Sequence, residues 1–135
     1  AREINDLGEI CGTGTLGGNT RAYRLSPILS APRVSGVQPA IAGRDVGFFG
    51  LGFAPGSSVL VVFSLASGTT VVPGCAGVVL DMATPTVLAA VVADASGRIE
   101  LSTIVPAAAS GISLRMAAGS LAGCAVSDVV VQTLQ

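Results

Sequence analysis

The stretch DVGFFGLGFAPGSSVLVVFSLA, Asp45–Ala66, decides the fold. Two runs rich in Val, Phe and Leu flank Ala54-Pro55-Gly56-Ser57. Pro at the second position and Gly at the third make that tetrapeptide a type II turn. Neither run carries apolar residues at helical spacing, and both are of strand length. The unit therefore reads as strand, turn, strand.

The same unit recurs along the chain. Short β-branched runs bounded by Gly, Pro, Ser and Asp return about every 8–12 residues, the spacing of a sandwich or barrel. Strands are expected at Glu9–Thr15, Arg21–Leu25, Arg33–Val37, Asp45–Phe53, Ser58–Ala66, Val78–Met82, Val87–Ala93, Ile99–Thr103, Ile112–Ala117 and Val129–Leu134. Leu16-Gly17-Gly18-Asn19 supplies the positive φ that a tight hairpin needs. Asp94-Ala95-Ser96-Gly97 reads as a four-residue hairpin connection. Ala107–Ser110 can form one helical turn after Pro106, ended by Gly111. The expected fold is all-β: an antiparallel, Ig-like β-sandwich preceded by an N-terminal β-hairpin. Val59–Phe63 and Val87–Val92 are apolar at consecutive positions, which predicts central strands covered on both faces.

Ser26-Pro27-Ile28-Leu29-Ser30-Ala31-Pro32, with two prolines, reads as an extended linker. It divides the chain into a hairpin, 1–28, and a sandwich domain, 29–135, the latter of normal size for such a fold. The first residue is Ala1 and not Met, which fits a processed or excerpted segment of something longer.

Composition removes several functions. Only 11% of the 135 residues are charged, against about 25% in ordinary domains. Such a surface favours burial against neighbours. All seven cations are Arg, scattered singly, and the net charge is −1, so no footprint for nucleic acid exists. Residues 46–80 carry no charge, but glycines and prolines interrupt them too often for a spanning helix. Five aromatics cannot furnish the girdles of a membrane barrel.

His and Lys are both absent, which removes the commonest general base, the Schiff-base amine and the Ser-His-Asp triad. The acids Glu3, Asp6, Glu9, Asp45, Asp81, Asp94, Glu100 and Asp128 are dispersed. Asp94 and Asp128 read as turn residues and Glu100 as the polar side of a strand. No catalytic residue, metal site or cofactor is expected, and the chain reads as a non-enzyme. Gly12–Gly17 spells G-x-G-x-x-G, yet no helix follows to receive a phosphate. Cys75 and Cys124 both lie in glycine-rich loop text, and one reading bonds them in an oxidising compartment, leaving Cys11 over. The other keeps three buried free thiols.

Ile4-Asn5-Asp6-Leu7-Gly8-Glu9-Ile10-Cys11-Gly12, followed by Arg21-Ala22-Tyr23, resembles the end of an HAF-type extracellular repeat. Such repeats stand in tandem, propeller-like arrays, and one alone cannot bury its faces. The remainder resembles C-terminal sandwich modules of large secreted proteins of environmental bacteria. That resemblance rests on Pro55-Gly56, Asp94–Gly97, Val105-Pro106, Gly111–Leu114 and Val126-Ser127-Asp128.

Together these readings predict a secreted or cell-surface, non-enzymatic structural protein. It would be a self-assembling subunit of an extracellular filament or appendage, joined by strand addition. Ile4, Ile10, Leu16, Tyr23 and Leu25 form the expected subunit interface, and the partners are other copies or neighbouring domains of a secreted protein. The alternative is an adhesive or carbohydrate-binding C-terminal module, although Trp is absent and Tyr23 is the sole Tyr. The hairpin could instead fold back as edge strands of its own sandwich.

Overall fold

The computed structural model describes residues 3–27 and 29–135, so the expected 28/29 boundary and part of the linker lie outside the described residues. In chain order the strands are β1 (Glu3–Ile4), β2 (Ile10–Leu16), β3 (Asn19–Leu25), β4 (Arg33–Val34), β5 (Asp45–Leu51), β6 (Ser58–Ser64) and β7 (Thr70–Val71). β8 (Val79–Leu80), β9 (Thr86–Val92), β10 (Ile99–Ile104), β11 (Ser113–Ser120), β12 (Ala125–Val126) and β13 (Val130–Thr133) follow. The fold is all-β, and every ladder is antiparallel.

Eight strands make the sandwich. One sheet runs β10-β5-β4; the other runs β12-β11-β6-β9, with β13 also paired to β11. The period of two sorts their side chains. Val46 and Phe48 of β5, Val59 and Val61 of β6, Ile99 of β10 and Met116 of β11 meet in the core between the sheets. Val62 and Ala117 point to the opposite face, into a second apolar cluster with Val72, Cys75, Leu80 and Met82. That face is covered by a ribbon, β7–β8, which belongs to neither sandwich sheet. Both faces of β6 are thus buried, as its unbroken apolar text requires.

The turns follow their chemistry. Gly56 has φ +75° and Ser57 N donates to Ala54 O at 3.0 Å, a type II turn. The 3₁₀ turn Ala107–Ala109 follows Pro106 and stops before Gly111.

Four expectations need correction. β9 is the end strand of its sheet, not a central one. An apolar run specifies strand but carries no information on whether a neighbour lies beyond it. Asp94–Gly97 does form a turn, with Gly97 N on Asp94 O at 3.0 Å, but it joins β9 to a strand of the other sheet. The cause is at Gly97 (φ +74°), where a Cβ would lie 2.3 Å from Phe53 O. The turn docks on the end of the opposite sheet and carries the chain across. Arg33–Val37 and Val78–Met82 shrink to two-residue strands.

Candidate interaction sites

The N-terminal segment folds as a sheet of its own, β1-β2-β3, and no strand of it joins either sandwich sheet. The reading as edge strands of the sandwich is therefore overturned. Gly17 and Gly18 both have positive φ (59° and 81°), which closes β2 and β3 with a two-residue turn and full register from Leu16↔Asn19 to Ile10↔Leu25. Among the described residues, nothing pairs with either long edge of this sheet beyond β1, which covers only Ile10 and Cys11.

Its base is fixed to the sandwich. The loop between β1 and β2 is tightened by Asn5, whose side-chain oxygen accepts from Leu7 N at 3.1 Å and Glu9 N at 2.9 Å. That loop delivers Leu7 and Glu9 into burial at 2% and 4% exposure. Glu9 is ion-paired with Arg98, accepts from Asn5 Nδ2 at 2.8 Å and Ser26 Oγ at 3.2 Å, and has Arg24 Nε at 3.6 Å. Arg98 also lies 5.1 Å over the Phe49 ring, and Gln38 donates to Asp6 nearby. Burial acts to raise the pKa of Glu9. The bonds from Asn5, Arg98 and Ser26, together with the charge of Arg98, outweigh it and hold the carboxyl below its ordinary value.

The five residues expected at a subunit interface fall in two groups. Ile4, Leu16 and Leu25 are exposed at 70%, 70% and 58%. Ile10 and Tyr23 are half-buried within the sheet, and the Tyr23 ring lies against Gly14, 3.5 Å from where a Cβ would be. No local signal announces the Glu9–Arg98 pairing, whose partners stand 89 positions apart.

A second site lies under the ribbon. Cys75 and Cys124 are bonded, with Cα atoms 5.5 Å apart, and Cys11 is free and exposed, which overturns the three-thiol reading. The bridge ties the ribbon to the turn before β12, and Arg115 Nη1 donates to Asp81 O at 3.3 Å on the ribbon's other limb. Between ribbon and sheet is a cleft of about 370 Å³, with Leu60, Val62 and Ala117 on one wall and Val72, Pro73 and Leu121 on the other. Thr70 is its one polar side chain, and its hydroxyl already donates to Met82 O at 2.7 Å. A sugar site needs aromatic faces and free polar groups, and this lining offers neither. The disulfide is consistent with an extracytoplasmic location. No helix among the described residues is long and apolar enough to cross a membrane.

Asp94, the other carboxylate below its ordinary pKa, accepts from the Ser96 hydroxyl at 2.7 Å and from the backbone N–H groups of Arg98 and Ser96. It holds a turn.

No family model and no curated protein matches this chain. Among solved structures, macromomycin aligns at 25% identity with a TM-score of 0.42, over 78% of this chain and 98% of its own.

Proposed function

We propose that this is a non-enzymatic, secreted or cell-surface structural protein that assembles with other copies of itself through its N-terminal sheet. The observation that carries the reading is a separate sheet held only at its base, with apolar side chains exposed and long edges open. An isolated small sheet is marginal in water, and an open edge is a template for another strand. Leu25 stands on the β3 edge and Ile4 and Leu16 toward the opposite edge, so exposed apolar groups border both edges at which another copy would pair. A strand added to β3 makes a head-to-tail contact that does not close on itself, so copies grow into a filament. The resemblance of Ile4–Tyr23 to one unit of a tandem repeat points the same way, because such a unit takes strands from its neighbours. The acids support a non-enzyme: Glu9 is consumed by an ion pair and Asp94 by a turn.

Ala22→Pro is the test. In a two-residue hairpin, Leu16 and Asn19 exchange the first bonds, and alternation then turns the N–H of Ala22 to the open side. Proline there removes an edge donor and leaves the β2–β3 ladder whole. The wild-type chain is expected to form large species by sedimentation as concentration rises, and Ala22→Pro to abolish them. A wild-type chain that stays a 13.2 kDa monomer throughout ends the reading.

The cleft favours a second reading, a binding module for a small apolar molecule. Burying such a ligand needs no charge and little hydrogen bonding, as this lining provides. An apolar fluorophore should brighten with the protein, and Ala117→Trp, which fills the cleft, should abolish the signal.

A further inference from the structure

We propose that β9 is a second, self-complementary interface, across which two copies pair antiparallel about a twofold axis and join their five-stranded sheets into one. This goes beyond the N-terminal contact and does not depend on it.

Natural edge strands are blunted by charge, proline, β-bulges or brevity, and glycine weakens them. Among the described residues, the long open edges belong to β2, β3, β9 and β10. β3 carries Arg21 and Arg24, β10 carries Glu100, and the uncovered part of β2 is Gly12-Thr13-Gly14-Thr15-Leu16. β9 reads Thr86-Val87-Leu88-Ala89-Ala90-Val91-Val92, with no charge, proline or glycine. Val87, Leu88 and Val92 are nevertheless exposed, Val92 at 68%.

Charge decides which partner fits. A twofold axis sets the residue on the axis against its own copy, and every other residue against the one equally far along the copy on the other side. An axis between Ala22 and Tyr23 of β3 sets Arg21 against Arg24 of the copy, like charges that repel, and an axis at the middle of β10 brings the charged Glu100 into the pairing opposite Thr103. β9, among the edges furnished with side chains, meets itself with no charged residue anywhere in the pairing. An axis through Ala90 sets Ala90 against Ala90, Ala89 against Val91 and Leu88 against Val92. Small residues at the centre allow close approach, and larger apolar ones flank them.

The strand's surroundings extend the match. Val87 stands at the mouth of the cleft under the ribbon, and Leu88 borders a separate apolar hollow of about 210 Å³ with Phe63, Leu65 and Ile104. A partner strand would close both mouths. The ladder between β9 and β6 shifts register at Leu88, since Val61 faces Ala89 and Val62 faces Val87. Pairing resumes at Val87 and Thr86, so the bulge blunts only that end of the edge, and the unbroken stretch Ala89–Val92 holds the proposed axis, with Leu88 at its margin.

The experiment is sedimentation of the Ala22→Pro chain, in which strand addition to β3 is blocked. It is expected to remain a concentration-dependent dimer. On that background Val92→Lys, and separately Ala90→Lys, should shift it to monomer, with the thermal midpoint unchanged when measured at dilutions where both chains are monomeric, because both positions are exposed. If Ala22→Pro is already monomeric, or if folded Lys variants stay dimeric, the β9 interface is wrong. The loss of large species in Ala22→Pro tests the N-terminal contact separately, so the two proposals fail independently.

Discussion

The sandwich and the N-terminal sheet are held in place by different physics. In the sandwich, β6 buries side chains on both faces, Val59 and Val61 toward one apolar cluster and Val62 toward another. Its position follows from burial, which is distributed over many contacts and insensitive to any one charge. In the N-terminal sheet most side chains of β2 and β3 are exposed, and the anchorage converges on one buried carboxylate. A body fixed by distributed burial should resist local change. A sheet fixed by a charge cluster should detach at a single trigger and leave the rest folded.

The largest expected effect lies on the sandwich side, at its staple. The Cys75–Cys124 bridge closes a loop with a sequence separation of 49. In the chain-entropy model, removing such a cross-link costs about 4 kcal/mol. The double variant Cys75→Ala, Cys124→Ala should therefore lose about that much by urea unfolding, with the ribbon's amides exchanging fastest. A loss below about 1 kcal/mol would mean that the second apolar cluster holds the ribbon without its bond. Cys11 offers an internal control, since alkylating this exposed thiol should leave stability unchanged.

A smaller effect is expected at the anchor. Glu9→Gln keeps the shape but removes the charge opposite Arg98, at a cost of about 1.5–3 kcal/mol for charged hydrogen bonds. Arg24, half exposed, adds little. The loss should appear as faster hydrogen exchange at Leu7 and Glu9 with the sandwich's midpoint unmoved. The pH dependence has a fixed sign. Glu9 titrates lower when docked than when free, so its contribution is complete above the ordinary glutamate value of about 4.3 and disappears as pH falls through the docked value. Acid should release the N-terminal sheet in wild type and change nothing further in Glu9→Gln. A docked sheet that is equally stable on both sides of that range would refute the anchor.

The legibility of the two regions in the sequence differs for the same reason. Asp45–Ala66 states its structure locally: β-branched runs, a Pro-Gly turn and a buried period of two, all realised in β5 and β6. The hairpin turn at Gly17-Gly18 and the bridge between Cys75 and Cys124 were equally readable, because loop context and turn residues carry them. What escaped is non-local. Arg98 follows a turn and Glu9 precedes a strand, and nothing in either neighbourhood announces the other. The two-residue strands β1, β7 and β12 are too short to show a period. β9 illustrates the limit from the other side, since seven residues without charge identify a strand but not its place at the end of a sheet. The cleft under the ribbon, enclosed by residues from 60 to 126, was invisible to any local window.

The smallest expected effect is at the tip of the N-terminal sheet, and it sharpens the contrast most. Leu16, 70% exposed beside the Gly17-Gly18 turn, touches no buried cluster of its own chain. Exposed substitutions of this kind change stability by no more than about 0.5 kcal/mol. Leu16→Ser should therefore leave the urea midpoint of the isolated chain where it was. An apolar side chain that does nothing for its own fold contributes to stability only through what covers it. If the N-terminal sheet is covered by another copy, Leu16→Ser should raise the concentration at which large species form while monomer stability stays constant. A comparable change at Val59, buried in the core, must instead lower stability by a few kcal/mol, because a cavity replaces lost contacts. The pair forms one experiment with two readouts. If Leu16→Ser leaves the assembly threshold unmoved, the tip lies outside the contact and the filament interface must be sought along the β3 edge alone. If it destabilises the monomer as Val59→Ala does, the N-terminal sheet has packing of its own, and the distinction between the two regions fails.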